Sequence, residues 1–388
     1  MNPAALKGRG AAAVLGCVSF VLIGWSGLLV PSLIRQVEHD FGQSDAGIGL
    51  FYLVFASAYV AGSLGGGMLT ERLGRRRVLG LAIALHGLGL LAQVGPSWTV
   101  FVLAAIPRGL GTGALDGGVN GLFLDLYPDG RGRALSVVHL FFSLGALIAP
   151  VAVGVLVEAG VAWQSLVLIT GLMSFPLAML FALAGLPSGR HASDPERSGP
   201  RLGLALPLLA LGVAIGCYVA SEIGVSNWLV RFLEAAPLTV ATFGLTLYWG
   251  GLTVGRLVSA RIADRFDHVQ FAIACAVVMA VSISLATIVP SLPLSIALFA
   301  LSGFASGPIY PMIIAIGGER FPARAAAVSG FLGAAAVLGS VVYPPVMGFL
   351  SVTVGLSAAM LGTALLGFAC AGALLISAAN RAREAARA

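Results

Sequence analysis

The apolar residues of this chain are gathered into long blocks, and short segments between the blocks hold most of the charged residues. Most blocks have about 20 to 25 residues, the length that an α-helix needs to cross a hydrocarbon core of about 30 Å. The pattern predicts twelve membrane-crossing helices, at residues 11–37, 45–69, 77–95, 99–124, 133–157, 162–186, 203–230, 240–263, 269–290, 293–317, 324–349 and 354–378. The predicted fold class is an all-α membrane protein.

The composition excludes a soluble globular protein. Charged residues make up 10% of the 388 positions, against about 25% in soluble domains, and the mean hydropathy is +0.98. All four cysteines lie in apolar blocks without the spacing of a metal site, which favours packing roles for Cys17, Cys217, Cys275 and Cys370. No segment resembles a phosphate-binding loop, so neither ATP, another cofactor nor a metal is expected.

The net charge of +6 follows the predicted topology. If the N-terminus is cytoplasmic, 18 of the 22 basic residues fall on the cytoplasmic side, and Arg35 and Arg231 fall at outer ends. This bias is typical of multi-pass membrane proteins, and it predicts that both termini are cytoplasmic. The charge therefore requires no nucleic-acid partner, and the cell membrane is the expected location.

The two halves of the chain repeat each other. A basic loop at 67–77 has a weaker copy at 260–267, in which Glu71 corresponds to Asp264, 193 positions later. Five further pairs lie 194 positions apart: Asp125 and Glu319, Pro128 and Pro322, Gly145 and Gly339, Pro150 and Pro344, and Gly154 and Gly348. We therefore expect two pseudo-symmetric six-helix bundles, 1–186 and 203–388, joined by a cytoplasmic linker at 187–202. Duplicated bundles are expected of a transporter whose halves rock about a central site.

The basic loop contains the motif Gly67-x-Leu69-x-Glu71-Arg72-x-Gly74-Arg75-Arg76. This motif resembles the signature loop of the major facilitator superfamily, with glutamate where aspartate is usual. Arg108, which glycines follow on the fourth predicted helix, resembles a second signature of the same superfamily. The resemblance implies the major facilitator fold and a secondary active transporter, not an enzyme.

Three segments show a narrower resemblance: 115–121 on the fourth predicted helix, 136–146 on the fifth and 217–229 on the seventh. They are similar to helices of the fucose–galactose–glucose proton symporter family. In that family an acid four residues before an asparagine serves sugar binding and proton coupling, and Asp116 and Asn120 match this spacing. The chain departs from the fucose permease on its first helix, where the region of Gly27 lacks an acidic residue.

Asp116 and Glu222 are the carboxylates that the pattern places inside predicted helices, away from both ends. A carboxylate in hydrocarbon costs about 2.5–3.5 kcal/mol, so each should face a cavity, a partner or water. We expect both to contact the solute and to carry protons. The alternative is a structural ion pair, with Arg108 as the candidate partner of Asp116, or a hydrogen-bonded structural anchor.

Other polar and aromatic side chains could line the same cavity, because sugars offer hydroxyls to amides and apolar C–H faces to aromatic rings. The predicted solute-binding residues are Asp116, Asn120, His139, Tyr218, Glu222, Asn227, Trp228, Trp25, Trp249 and Tyr310. Each aromatic residue could instead serve packing or interfacial anchoring, and His139 and Asn120 could be packed polar groups.

The charged loops are predicted to form inner-face contacts that exist in one access state and break in the other. Gly67 is expected to allow close helix approach, and the loop arginines are expected to pair with Asp125. The second half would repeat the arrangement. The predicted gating residues are Gly67, Glu71, Arg72, Gly74, Arg75, Arg108, Asp125, Arg256, Asp264, Arg265 and Glu319. The alternative is that these charges only set the topology.

The hypothesis that results is proton-coupled symport of a sugar or related small polar solute by alternating access. The expected partners are that solute, protons and the lipid bilayer, and the chain is expected to act as a monomer. A receptor or scaffold that does not transport is one alternative.

A second alternative is a proton-coupled efflux antiporter for drugs or metabolites. Gly145, Pro150 and Gly154 resemble the glycine–proline motif of drug–proton antiporters. The second half contains the same pattern 194 positions later, which favours a role in helix packing and bending. Symport is therefore the preferred hypothesis.

Overall fold

The computed structural model describes residues 3–128, 131–184, 186 and 206–385. The predicted linker at 187–202 and the side chain of Asp264 lie outside the described residues. Every regular element of the described chain is helical, as the apolar blocks predict. The helices are α1 (Pro3–Gly27), α2 (Leu29–Phe41), α3 (Asp45–Leu73), α4 (Arg75–Gln93), α5 (Trp98–Leu126), α6 (Arg131–Glu158), α7 (Trp163–Leu183), α8 (Leu206–Phe232), α9 (Leu238–Ile262), α10 (His268–Ile288), α11 (Leu292–Ser306), α12 (Ile309–Arg320), α13 (Ala325–Val354) and α14 (Leu356–Ala385).

In the described chain, eleven helical segments are long and apolar enough to cross a membrane, with α1–α2 and α11–α12 each forming one segment. Helix α4 corresponds to the remaining predicted span. It has 19 residues and begins with three arginines, which lowers its average hydropathy. The chain is a multi-pass helical membrane protein.

Two of the predicted spans are interrupted, which the apolar pattern did not indicate. The break between α1 and α2 falls at Leu28, because Pro31 lacks the N–H that would bond to the carbonyl of Gly27. The break between α11 and α12 falls at Gly307 and Pro308, where proline again removes a backbone donor. Breaks inside a membrane helix are tolerated where neighbouring helices or water satisfy the freed carbonyls.

The described helices group into two compact units. The first comprises Met1–Gln43 and Leu50–Ser193, and the second comprises Ser44–Gly49 and Asp194–Ala388. The core of the first unit includes the buried side chains of Phe20, Leu79, Ile83, Val119 and Phe123. Among the largest enclosed side chains of the second unit are Trp228, Tyr218, Tyr248 and Phe299.

Glycines hold α3 and α5 close together in the first unit. A Cβ atom added at Gly109 or Gly113 on α5 would collide with the carbonyl oxygen of Phe55 or Tyr59 on α3. Only a residue without a side chain allows the two backbones to approach so closely. We call this close contact between α3 and α5 the glycine seam. It places Tyr59 next to the turn of α5 that contains Asp116.

The second unit repeats this seam between α9 and α11. Gly303 and Gly307 lie against the carbonyl oxygens of Tyr248 and Leu252. Each glycine lies 194 positions after its counterpart in the first unit, and each carbonyl 193 positions after its own. The internal repeat read from the sequence is therefore also a repeat of helix packing.

Candidate functional site

A polar cluster surrounds Asp116, which lies half-buried on α5. The hydroxyl of Tyr59 on α3 donates to Asp116 Oδ2, and Asn120 Nδ2 donates to Asp116 Oδ1 at 3.0 Å. The four-residue spacing places Asp116 and Asn120 on one helix face. The buried Oδ1 of Asn120 has no hydrogen-bond partner in the described chain, so the cluster retains an unused acceptor.

No basic side chain of the described chain forms an ion pair with Asp116, whose partners are both neutral. The alternative of a structural pair with Arg108 is therefore wrong. A carboxylate held by two neutral donors keeps the capacity to accept further hydrogen bonds from water or a polar solute.

Arg108 belongs to a separate buried cluster that ties α5 to α1 and α4. Its NH1 donates to Gln93 Oε1 at 3.0 Å, and its NH2 donates to the carbonyl oxygen of Ser26 at 2.5 Å. The guanidinium also lies over the Phe55 ring, 5.2 Å from its centroid. Arg108 precedes Asp125 by 17 residues, roughly 25 Å along the helix. The structure therefore separates Arg108 from the basic loop with which the gating prediction grouped it.

The second unit contains a polar cluster around Glu222 on α8. Its side chain is 8% exposed, and Arg256 NH2 on α9 lies 4.0 Å from Glu222 Oε1. The Tyr218 hydroxyl donates to Glu222 Oε2. Tyr248 donates to the backbone carbonyl of Glu222 at 3.1 Å. Arg256, predicted as a gating residue, is thus a partner of the predicted proton-coupling acid.

The two tryptophans of the second unit occupy different surroundings. Trp249 on α9 donates from Nε1 to Ser226 Oγ at 3.0 Å, which places it one turn beyond Glu222 along α8. Trp228 is fully buried, and its Nε1 donates to the carbonyl oxygen of Pro344 on α13 at 3.0 Å. In this structure Trp228 therefore has a packing contact, and its role in solute binding stays a prediction. Asn227 and Tyr310 are half-buried, on α8 and α12.

The remaining predicted solute-binding residues lie in the first unit. Trp25 on α1 is half-buried and donates from Nε1 to Thr170 Oγ1 on α7 at 3.0 Å. His139 on α6 is exposed and meets the Phe20 ring edge-on, with centroids 5.2 Å apart. The solute-binding role of both residues stays a prediction.

The basic loop forms the contact that the sequence predicted. Arg75 NH2 donates to Asp125 Oδ2 at 2.7 Å, and the Arg75 side chain is 8% exposed. Glu71 and Arg72 are exposed. Gly74 has φ of 82°, a backbone conformation that favours glycine and permits the turn from α3 into α4.

Gly67 does not have its predicted role. A Cβ atom there would meet no atom within 4 Å, so the residue is not at a close helix contact. The close approach of α3 to α5 instead involves Gly62 and Gly66, whose Cβ atoms would overlap Leu110 and Ala114. The motif therefore lies on the helix that packs against α5, but Gly67 is on a different face of that helix from the contact.

The second loop contains a charged contact at the positions that correspond to the first, because His268 and Glu319 lie 193 and 194 positions after Arg75 and Asp125. Glu319 accepts from His268 Nδ1 at 2.7 Å, and Arg265 is exposed and forms no ion pair in the described chain. The side chain of Asp264 lies outside the described residues. The gating role of Asp264, Arg265 and Glu319 in the second half stays a prediction.

Two polar contacts escaped the sequence reading. Tyr59 lies in an apolar block, and only the packing of α3 on α5 brings it to Asp116. In the second unit, Asp45 is 6% exposed, accepts from Arg231 Nε at 2.8 Å and accepts from the Ser351 hydroxyl. An aspartate at the start of a helix is usually explained by the helix dipole alone, so its position in the sequence gave no sign of this ion pair.

Comparison with known proteins agrees with this architecture. The model of the Major Facilitator Superfamily matches residues 14–230 and 202–388. A glucose/galactose transporter of Brucella abortus is 25% identical over 360 residues, covering 86% of this chain and 85% of that protein. A gentisate transporter of Corynebacterium glutamicum is 25% identical over 388 residues, covering 93% and 86%.

A solved structure has the same fold. The nucleoside transporter NupG, in a mutant form, superimposes with a TM-score of 0.77 at 14% identity and covers 95% of this chain and 99% of that chain. The family match spans nearly the whole sequence, and both curated relatives are transporters. The chain therefore belongs to the Major Facilitator Superfamily, and it is a multi-pass membrane transporter, not an enzyme.

Proposed function

We propose that this transporter moves a sugar or related small polar solute together with protons, by alternating access. The observation that carries the proposal is the Asp116 cluster, a half-buried carboxylate held by Tyr59 and Asn120 without a cation. The glucose/galactose transporter among the relatives supports a sugar as solute.

In this mechanism Asp116 takes up a proton from the side with the higher proton concentration, which removes its charge. The solute then replaces water at the cluster, with its hydroxyls meeting the carboxyl group and the free acceptor oxygen of Asn120. The change of access state costs less free energy when the site is neutral and holds the solute than when it carries an uncompensated charge. Proton and solute therefore move together.

Glu222 is proposed as a second proton-binding group. It differs from Asp116 because Arg256 compensates its charge and Tyr218 donates to it. Release of the Arg256 contact in another access state would leave Glu222 able to take up a proton. The Arg75–Asp125 pair is proposed as the cytoplasmic latch that forms in one state and breaks in the other.

Counterflow in proteoliposomes tests the solute class. Purified protein is reconstituted with unlabelled glucose or galactose inside, and the entry of labelled hexose is followed. The proposal expects transient accumulation that unlabelled hexose abolishes. Counterflow with gentisate or a lipophilic dye cation, without hexose competition, would contradict it.

Transport of an organic acid is the second candidate, and one observation favours it. The Arg256 side chain is 35% exposed and carries the positive charge that an anionic solute would require. The gentisate transporter among the relatives acts on such a compound. Drug efflux has less support, because Gly145 and Gly339 both pack tightly against a neighbouring helix, as a structural motif would.

A further inference from the structure

A groove runs between α4 and α7 on the surface of the first unit. It has a volume of about 490 Å³ and is lined by Arg76 and Arg77 at the first turn of α4 and by apolar residues beyond them. Leu81 and Met179 form its walls and are 54% and 60% exposed. On a membrane protein, such exposed apolar side chains lie in the hydrocarbon region.

Small residues produce the groove. At Gly87, an added Cβ would lie 2.9 Å from the carbonyl oxygen of Gly171, so the helices are in tight contact there. At Gly80, two turns closer to the arginines, the nearest atom is the Ala178 carbonyl oxygen at 3.4 Å. Helices α4 and α7 are therefore farther apart near the arginines. Because Gly80, Ala178 and Ala182 have little or no side chain, they leave the space between the helices open.

The arginines at the groove differ from their neighbour in sequence. Arg75 is buried and paired with Asp125. Arg76 and Arg77 are exposed and form no hydrogen bond or ion pair in the described chain. No acidic side chain lines the groove. Two uncompensated cations therefore stand at the membrane-interface end of an apolar channel.

We infer that this groove binds an anionic phospholipid of the leaflet that the basic loop faces, expected to be the cytoplasmic one. The lipid phosphate pairs with Arg76 and Arg77, whose side chains suit phosphate oxygens. One acyl chain lies along Gly80 and Ala182 between the walls. Basic pockets between membrane helices are suited to anionic headgroups, and each basic residue near such lipids contributes about 1 kcal/mol. The inference is independent of the solute proposed above.

Native mass spectrometry of the purified full chain tests the inference, with phosphatidylglycerol and phosphatidylcholine of equal chain length as probes. The chain should prefer phosphatidylglycerol, and the double variant Arg76→Gln/Arg77→Gln should lose this preference by roughly tenfold to thirtyfold. The control Arg133→Gln/Arg261→Gln removes the same charge from exposed positions outside the groove and should retain the preference. Equal loss in both variants would mean general charge attraction and would overturn the inference.

A second pair of measurements separates a lipid site from a simple anion site. Long-chain phosphatidylglycerol should raise the melting temperature of the purified protein, whereas inorganic phosphate at the same concentration should not. Ala182→Trp fills the groove but keeps both arginines, so it should abolish the stabilisation by lipid while the lipid-free variant elutes as a folded protein in size exclusion. Stabilisation by inorganic phosphate alone, or unchanged lipid binding in Ala182→Trp, would refute the acyl-chain site.

Discussion

The guanidinium of Arg256 lies 4.0 Å from the carboxylate of Glu222, so one of the two acids in the middle of the membrane helices has a cation beside it. The other acid, Asp116, has only the neutral donors Tyr59 and Asn120. The duplicated halves therefore contain different electrostatic environments. The proposed coupling therefore assigns proton uptake first to Asp116, and to Glu222 only when its contact with Arg256 opens.

Glu222 and Arg256 should depend on each other for stability. Glu222→Gln leaves the guanidinium without its counter-charge, and Arg256→Gln leaves a buried carboxylate. Each change should lower the free energy of unfolding by about 1–2 kcal/mol, a figure reduced because Arg256 is partly exposed. The double variant should lose less than the sum, with a coupling of about 1 kcal/mol in denaturation of the purified protein. If the two free-energy changes add exactly in the double variant, Glu222 and Arg256 do not stabilise each other.

Tyr59 should act on the solute through the position of Asp116. Tyr59→Phe removes the hydroxyl that donates to the carboxylate but keeps the ring in the α3–α5 seam. Loss of one hydrogen bond of about 1 kcal/mol should raise the KM for uptake about fivefold and leave the maximal rate largely unchanged. Tyr127→Phe, at the end of α5, is the control and should have a normal KM. An unchanged KM in Tyr59→Phe would exclude the positioning role.

The Arg75–Asp125 latch should govern the rate of state change. Asp125→Asn removes the carboxylate charge, so the ion pair of 2.7 Å becomes a weaker bond from the Arg75 guanidinium to an amide oxygen. We expect the maximal uptake rate to change about tenfold while equilibrium solute binding changes little. Cysteine-accessibility labelling at the loop should show a matching shift in state occupancy. If binding affinity alone changes, the pair belongs to the solute site and not to a latch.

The glycine seam should be more sensitive than the signature glycine of the loop. Gly113→Ala forces a Cβ against the Tyr59 carbonyl oxygen and should lower thermal stability, with a cost of about 1–3 kcal/mol from overpacking. Gly67→Ala has open space around its Cβ and should retain stability and expression. Fluorescence-detected size exclusion of heated samples measures both. Equal melting temperatures for the two variants would contradict the packing of α3 on α5.

The helices could be predicted because a membrane imposes a strong and simple rule on the sequence. Apolar blocks of sufficient length must be helices, and the offset of about half the chain indicated a duplicated architecture. The Arg75–Asp125 contact was also predictable, since both charges fall at the ends of neighbouring helices on the same side. These features depend on how deep a residue lies in the membrane, and that depth follows from its position along the apolar block.

The partners of individual side chains were less predictable, because they depend on which helix faces which. Tyr59 was hidden in an apolar block until the glycine seam placed it against Asp116. Arg256 was grouped with the loops, yet the packing of α9 on α8 brings it to Glu222. Gly67 was assigned to a helix contact that Gly62 and Gly66 actually make. Rotation of a helix about its axis has no simple signal in a chain that is apolar on nearly every face.

The role of Asp116 in proton coupling is measured by proton-driven uptake with the variant Asp116→Asn. Proteoliposomes containing wild-type protein or the variant receive an inward proton gradient and the labelled solute that counterflow identifies. Wild-type protein should concentrate the solute, whereas the variant should equilibrate and exchange it without concentrating it. Accumulation by Asp116→Asn at the wild-type level would exclude Asp116 as the coupling acid.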